Sequence, residues 1–150
     1  MKSRIIVDID GTISKVGPRI KYLQQEPKDW DSFYNDCFED EPVPEIIQMV
    51  QELFEECNDI IFCTGRRESC REKTMKWLRN YFTGALVSQS LLLMRPDNDH
   101  RHYTEIKPEL LTKAGIDWDS ISFILEDRNS MVKKWREMGL ICLQVAEGDF

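Results

Sequence analysis

What this 150-residue chain lacks narrows its class before any motif is considered. It has no run of 18 apolar residues, and its first charged residues pass within a few positions into a strand-like segment rather than the apolar core of a leader peptide. A soluble, cytoplasmic protein without a membrane partner is the expectation. No G-x-x-x-x-G-K-[ST] occurs, so no ATP-binding kinase domain is expected. The five cysteines are odd in number and contain no Cys-x-x-Cys pair, which disfavours both a disulfide framework and a zinc knuckle and leaves buried or half-buried thiols. Only two histidines are present, His100 and His102, and without a third ligand nearby they read as loop residues rather than a metal site. Positive charge is also short. A net charge of −7 argues against a protein that grips long nucleic acid by neutralising many phosphates, while leaving room for a small phosphate pocket. No internal repeat or low-complexity tract is visible.

A hydrophobic fraction of 41% over this length suits a single domain spanning residues 1–150 with one core. Apolar, β-rich runs recur at residues 5–7, 60–63, 91–94, 121–125 and 141–145, with helical periodicities between them. Residues 44–57 put Ile46, Ile47, Val50, Leu53 and Phe54 on one helical face, and residues 68–81 do the same with Met75 and Leu78. Shorter helices are expected over 108–114 and 130–138, ended by Gly115 and Gly139. Strands alternating with helices predict an α/β fold, a Rossmann-like parallel sheet with helices on both faces. Residues 13–43 break the rhythm. They are too long for a βα loop and carry an aromatic helix candidate around Trp30, Phe33, Tyr34 and Phe38, so they are expected to form a small cap over whatever lies at the end of the first strand. Trp30 and Phe38 read as packing residues, Phe33 and Tyr34 as candidates to stack a base.

The polar motifs fall at strand ends, where open α/β sheets bind ligands. Behind Ile5-Ile6-Val7 comes Asp8-Ile9-Asp10-Gly11-Thr12. Alternation along a strand sends Asp8 and Asp10 to the same side, where they can converge on one metal ion and one phosphate, and Gly11 allows the chain to turn beneath them. After the second run, Thr64-Gly65-Arg66 offers a hydroxyl, a turn glycine and a guanidinium suited to phosphate oxygens at a helix N-terminus. Lys107, expected at the start of a helix, can offset charge on a transferring phosphoryl group. Glu126-Asp127-Arg128 supplies a second acidic pair, and carboxylates from two strands make the oxygen-rich shell that Mg²⁺ prefers.

In this order the motifs resemble those of the haloacid dehalogenase (HAD) superfamily, whose phosphatases carry D-x-D-G-T, then Ser or Thr, then Lys, then paired acids. Residues 60–68, 94–107 and 123–150, with Glu126-Asp127-Arg128 and the Gln144-to-Phe150 tail, are similar to the 3′-phosphatase domain of phage polynucleotide kinase/phosphatase. The resemblance implies that Asp8 is the nucleophile and Asp10 the general acid and base. It implies Mg²⁺ held by Asp8, the Asp10 carbonyl and Asp127, with Glu126, where the family commonly has aspartate, as a further metal-site residue. Thr64 and Lys107 would hold phosphoryl oxygens, and Thr12, Gly65, Arg66, Arg95, Arg101 and Arg128 would line the substrate site. The implied activity is removal of 3′-phosphates from DNA or RNA ends, in nucleic-acid end repair. A phosphatase of free nucleoside monophosphates is the alternative, and a binding module that has lost turnover is the reading from outside enzymology. Oligomeric state is not legible.

Overall fold

The structure, a computed structural model, describes residues 3–150. Five parallel strands, β1 (Arg4–Val7), β2 (Asp59–Arg67), β3 (Leu91–Arg95), β4 (Ile121–Arg128) and β5 (Cys142–Gly148), form one sheet in the order β3-β2-β1-β4-β5. The order reverses direction at β1, the switch point at which such sheets open a crevice beyond their carboxyl ends. Side chains of β1 and β2 divide between two cores, as strand alternation requires. Ile5, Val7, Ile60 and Phe62 pack with α2 (Pro44–Glu55), α3 (Arg71–Tyr81) and α4 (Gly84–Gln89) on one face. Ile6, Ile61 and Cys63 pack with α5 (Tyr103–Lys113) and α6 (Asn129–Glu137) on the other. The expected α/β fold with both faces covered is what forms. No helix among the described residues is long and apolar enough to cross a membrane.

Several boundaries differ from those expected, each for a local reason. β2 runs on through Thr64, Gly65 and Arg66, so these residues lie on a strand rather than at a helix N-terminus, and a 3-10 turn over Glu68–Cys70 precedes α3. β4 and β5 likewise extend through their polar ends to Arg128 and Gly148. Backbone pairing does not stop where the apolar side chains do. α5 begins five residues before Pro108, with His102 as its N-cap, so Lys107 stands in mid-helix instead of at the start. α4 was not visible as a periodicity because it has only six residues; Thr83 caps it by accepting from Leu86 N–H at 3.3 Å.

Residues 13–43 leave and return at the end of β1. Val43 N–H donates to the Ile13 carbonyl and Lys15 N–H to the Glu41 carbonyl, both at 2.8 Å, closing the excursion into a compact loop. Within it α1 (Trp30–Asn35) is capped by Asp29, whose carboxylate accepts from Ser32 N–H at 3.0 Å. Leu23, Phe33, Tyr34 and Cys37 anchor the segment in the first core. Phe38, expected to pack, is instead 38% exposed.

Candidate active site

Asp8 leaves β1 with its N–H still donating to the Leu125 carbonyl at 3.0 Å, so its position is set by the sheet. Its Oδ2 accepts from Thr12 Oγ1 at 2.8 Å and its Oδ1 from Lys107 Nζ at 2.6 Å. Lys107 also donates to Glu126 Oε2 at 2.7 Å, and Glu126 Oε1 accepts the Asp127 N–H at 3.1 Å. One ammonium thus bridges carboxylates from two strands, with both Glu126 oxygens already engaged. Oxygens of Asp8, Glu126 and Asp127 lie within 4.8 Å of one another, and all three residues are buried. Asp127 Oδ1 is buried without a hydrogen-bond partner, which is costly unless something outside the protein satisfies it.

The charges do not balance. Burial first, then the charge of Asp8, pushes the pKa of Glu126 and of Asp127 upward. Burial works against the Lys107 ammonium too, but Asp8 and Glu126 outweigh it and its pKa rises. Three carboxylates against one cation, all oxygen donors, with one oxygen orphaned, fit a hard divalent cation such as Mg²⁺.

Two glycines let these strands approach. Gly11 has φ +84°, and a Cβ there would stand 2.0 Å from Asp127 Oδ2. A Cβ at Gly148 would stand 2.7 Å from the Asp127 carbonyl, to which Gln144 Nε2 donates at 2.9 Å. Gly11→Ala therefore adds a left-handed backbone cost of about 1–2 kcal/mol to a collision with Asp127. The expected outcome is loss of activity beyond about a hundredfold together with a lower Tm, read by enzyme assay and thermal melt.

The Asp10 carboxylate does not join this cluster. Its Oδ1 accepts from Arg19 Nη2 at 2.5 Å and Arg66 Nη2 at 2.7 Å, and both guanidiniums reach on to Asp40 Oδ2, at 2.6 and 3.2 Å. Arg19 Nη1 donates further to the Phe33 carbonyl at 2.6 Å and Arg66 Nη1 to Thr74 Oγ1 at 3.1 Å. Arg66 is fully buried, with its guanidinium hydrogen-bonded to Asp10, Asp40 and Thr74. Burial would raise the pKa of Asp10, but Arg66 and Arg19 win and hold it well below the usual carboxylate range. Burial pushes Asp40 the other way despite the same arginines, because it is shut off from water. Arg19 and Asp40 were not expected at the site. Both lie in the 13–43 excursion, where no periodicity marks them.

An inner cavity of about 40 Å³ opens between Asp8, Asp10 and Lys107, with Gly65 on its wall. It continues into an outer cavity of about 380 Å³. Arg95 and Arg128 line both, along with Trp30, Tyr34 and Tyr103. Arg95 is committed to backbone carbonyls, donating to Gly65 at 3.0 Å and Asp99 at 3.1 Å. Arg128 lies between the rings of Tyr103 and Phe150, at 4.2 and 4.3 Å. Arg101 reaches only the outer cavity and pairs with Asp99 at 2.7 Å and with Glu109. Thr64 reaches neither: it is fully buried, and its hydroxyl oxygen accepts the Arg66 N–H at 3.1 Å. Trp30 does more than pack, since it lines both cavities, whereas Phe33 meets only the inner one.

The chain matches the family described as the polynucleotide kinase PNKP phosphatase domain over residues 2–150. It is similar to a chain of the Pnkp1/Rnl/Hen1 RNA repair complex with a TM-score of 0.80 and 31% identity, all of it aligning to 44% of that chain. It therefore spans less than half the length of that relative. A haloacid dehalogenase-like family hydrolase from Streptococcus pneumoniae aligns over 95% of this chain and 84% of its own, with a TM-score of 0.62 and 13% identity. The D,D-heptose 1.7-bisphosphate phosphatase from B. bronchiseptica, complexed with magnesium and phosphate, aligns over 96% of this chain and 80% of its own, with a TM-score of 0.58 and 16% identity. At those identities the last two likenesses concern the fold alone.

Proposed function

The chain belongs to the polynucleotide kinase phosphatase-domain family, with the fold of HAD-like hydrolases, and on that premise we propose that it is a Mg²⁺-dependent phosphomonoesterase that clears 3′-phosphates from DNA or RNA ends through an aspartyl phosphate. The observation that carries this reading is that Asp8 lines the inner cavity with one oxygen on Lys107 and its carboxylate clustered with that of Asp127, which has an orphaned oxygen.

A phosphate dianion and a carboxylate repel, so the site must first lower that repulsion. Bound by Asp8, Asp127 and the Asp10 carbonyl, Mg²⁺ would supply positive charge at the phosphoryl oxygens. Lys107 adds to it, and Glu126 acts by holding Lys107 rather than as a ligand. Thr12 fixes the rotamer of Asp8, a residue that lines the cavity. An Asp8 oxygen bonds to phosphorus as the bond to the 3′-oxygen breaks, and Asp10 gives that oxygen its proton. Asp10 then takes a proton from the water that attacks the acyl phosphate, releasing phosphate and restoring Asp8. In the free protein Asp10 is ionised by its two arginines. Asp10 takes up that proton from solvent as the substrate binds, because an incoming phosphate opposes the arginine charge and raises the proton affinity of Asp10. Arg19, Arg66 and Asp40 are positioning residues for that carboxylate, and residues 13–43, which carry Arg19 and Asp40, serve as the cap.

The test is a comparison of specificity constants for 3′- and 5′-phosphorylated oligonucleotides and for 3′- and 5′-mononucleotides, with Mg²⁺ and with EDTA. The expected result is a preference for the 3′-phosphorylated oligonucleotide and loss of turnover in EDTA. Preference for 5′-mononucleotides would instead make the protein a nucleotidase, and undiminished rates in EDTA would remove the metal.

A further inference from the structure

The outer cavity differs in sign from the rest of the protein. On a chain of net charge −7 it is lined by Lys28, Arg67, Arg95, Arg101 and Arg128, with Asp99 as its acidic member. Arg67 is paired to Asp31 and Arg101 to Asp99 and Glu109, whereas among the described residues neither Lys28 nor Arg128 has a carboxylate within ion-pair distance. Those two unpaired cations stand at different depths. Arg128 also lines the inner cavity, while Lys28 is exposed and lines only the outer one.

One wall of the outer cavity is aromatic and braced. Trp30 is half-buried, stacked on Tyr34 at 5.9 Å and 23°, and braced edge-on by Phe33 at 5.8 Å and 84°. Phe33 and Tyr34 are themselves anchored in the core, so the indole is held in place before any ligand arrives. Lys28 Nζ lies 5.9 Å from the centre of the Trp30 ring. A volume of about 380 Å³ is at the low end for a small-molecule pocket and suits one nucleoside rather than a base pair.

Building on the 3′-phosphatase reading, we propose that the outer cavity seats the terminal nucleoside unpaired, with its base against Trp30 and the next internucleotide phosphate on Lys28. The enzyme then acts on single-stranded ends of at least two nucleotides. Stacking on an indole is open to every base, because each offers a π-face, so Trp30 discriminates base from no base without reading sequence. Lys28 rewards a second phosphate that a mononucleotide lacks.

Specificity constants test this for wild type, Trp30→Ala, Trp30→Phe and Lys28→Ala on four substrates. These are a single-stranded 3′-phosphorylated trinucleotide, the same chain with an abasic terminal residue, the 3′-mononucleotide and an aryl phosphate. In the wild type the base-bearing end is expected to exceed the abasic one by about tenfold or more. Trp30→Ala should collapse that ratio toward one and Trp30→Phe should retain most of it. Lys28→Ala should narrow the trinucleotide-to-mononucleotide ratio. A wild-type protein that treats base-bearing and abasic ends alike, or Trp30 variants that slow both in equal proportion, would overturn the inference while leaving the 3′-phosphatase reading intact. Hydrolysis of the aryl phosphate with none of the 3′-ends would overturn that reading itself.

Discussion

Asp8→Asn is expected to lower kcat by at least about a thousandfold with no loss of stability. The two halves of that outcome have separate causes. Asparagine keeps the shape of the side chain but cannot form an acyl phosphate under these conditions, so the covalent route closes. The metal-free cluster, meanwhile, holds Asp8, Glu126 and Asp127 against the single charge of Lys107. Removing one negative charge relieves repulsion among buried carboxylates whose pKa values burial and Asp8 already push upward. The melting temperature without Mg²⁺ should therefore hold or rise. Steady-state kinetics beside a thermal melt reads both, and a variant that loses activity only because it unfolds would give a lower Tm instead.

The second large effect belongs to Arg66→Met. Its guanidinium is fully buried and serves Asp10, Asp40 and Thr74 at once, so truncation leaves the half-buried Asp10 and the buried Asp40 carboxylates facing Arg19 alone. Breaking a buried ionic network in this way costs about 3–5 kcal/mol, which for a domain of this size lowers Tm by roughly 10 °C. The pH dependence follows from the direction of the Asp10 shift. Its folded pKa lies below the unfolded value, so its contribution to stability is present above the ordinary carboxylate range and is lost as pH falls beneath it. Removing Arg66 takes away part of that contribution at neutral pH, so the difference in Tm between variant and wild type should shrink on acidification. Melts taken from neutral pH down to about pH 3, below the ordinary aspartate pKa, would show it. A constant difference across that range would mean that Arg66 stabilises by packing and not through Asp10.

The parts of the site that could be read directly from sequence are those written in strand periodicity. Asp8, Glu126 and Asp127 meet because the apolar runs before them specify parallel strands, and parallel strands deliver their ends to one edge, where Lys107 reaches them from the middle of α5. The Arg19 and Asp40 buttress was illegible for the opposite reason. Arg19 follows Gly17-Pro18 on an irregular segment and Asp40 stands 21 residues beyond it, and only the folded loop brings them to Asp10. Arg66 was visible but assigned outward, since sequence order cannot say whether a guanidinium at a strand end faces ligand or protein. Thr64 raises the same ambiguity: β2 continues through it and it is fully buried, which its place after an apolar run does not reveal. Trp30 was read as packing because exposure along a cavity leaves no signature in a short amphipathic helix.

That Asp8 carries the phosphoryl group for part of each turnover is tested most directly by acid-quenched single-turnover reactions with a 3′-³²P-labelled oligonucleotide. With Mg²⁺ present, label should become covalently bound to protein, be released by hydroxylamine, and map after proteolysis to the peptide containing Asp8; with EDTA none should appear. Full turnover through every quench time without protein-bound label, in particular in an Asp10→Asn variant whose weakened base should prolong the intermediate, would contradict it.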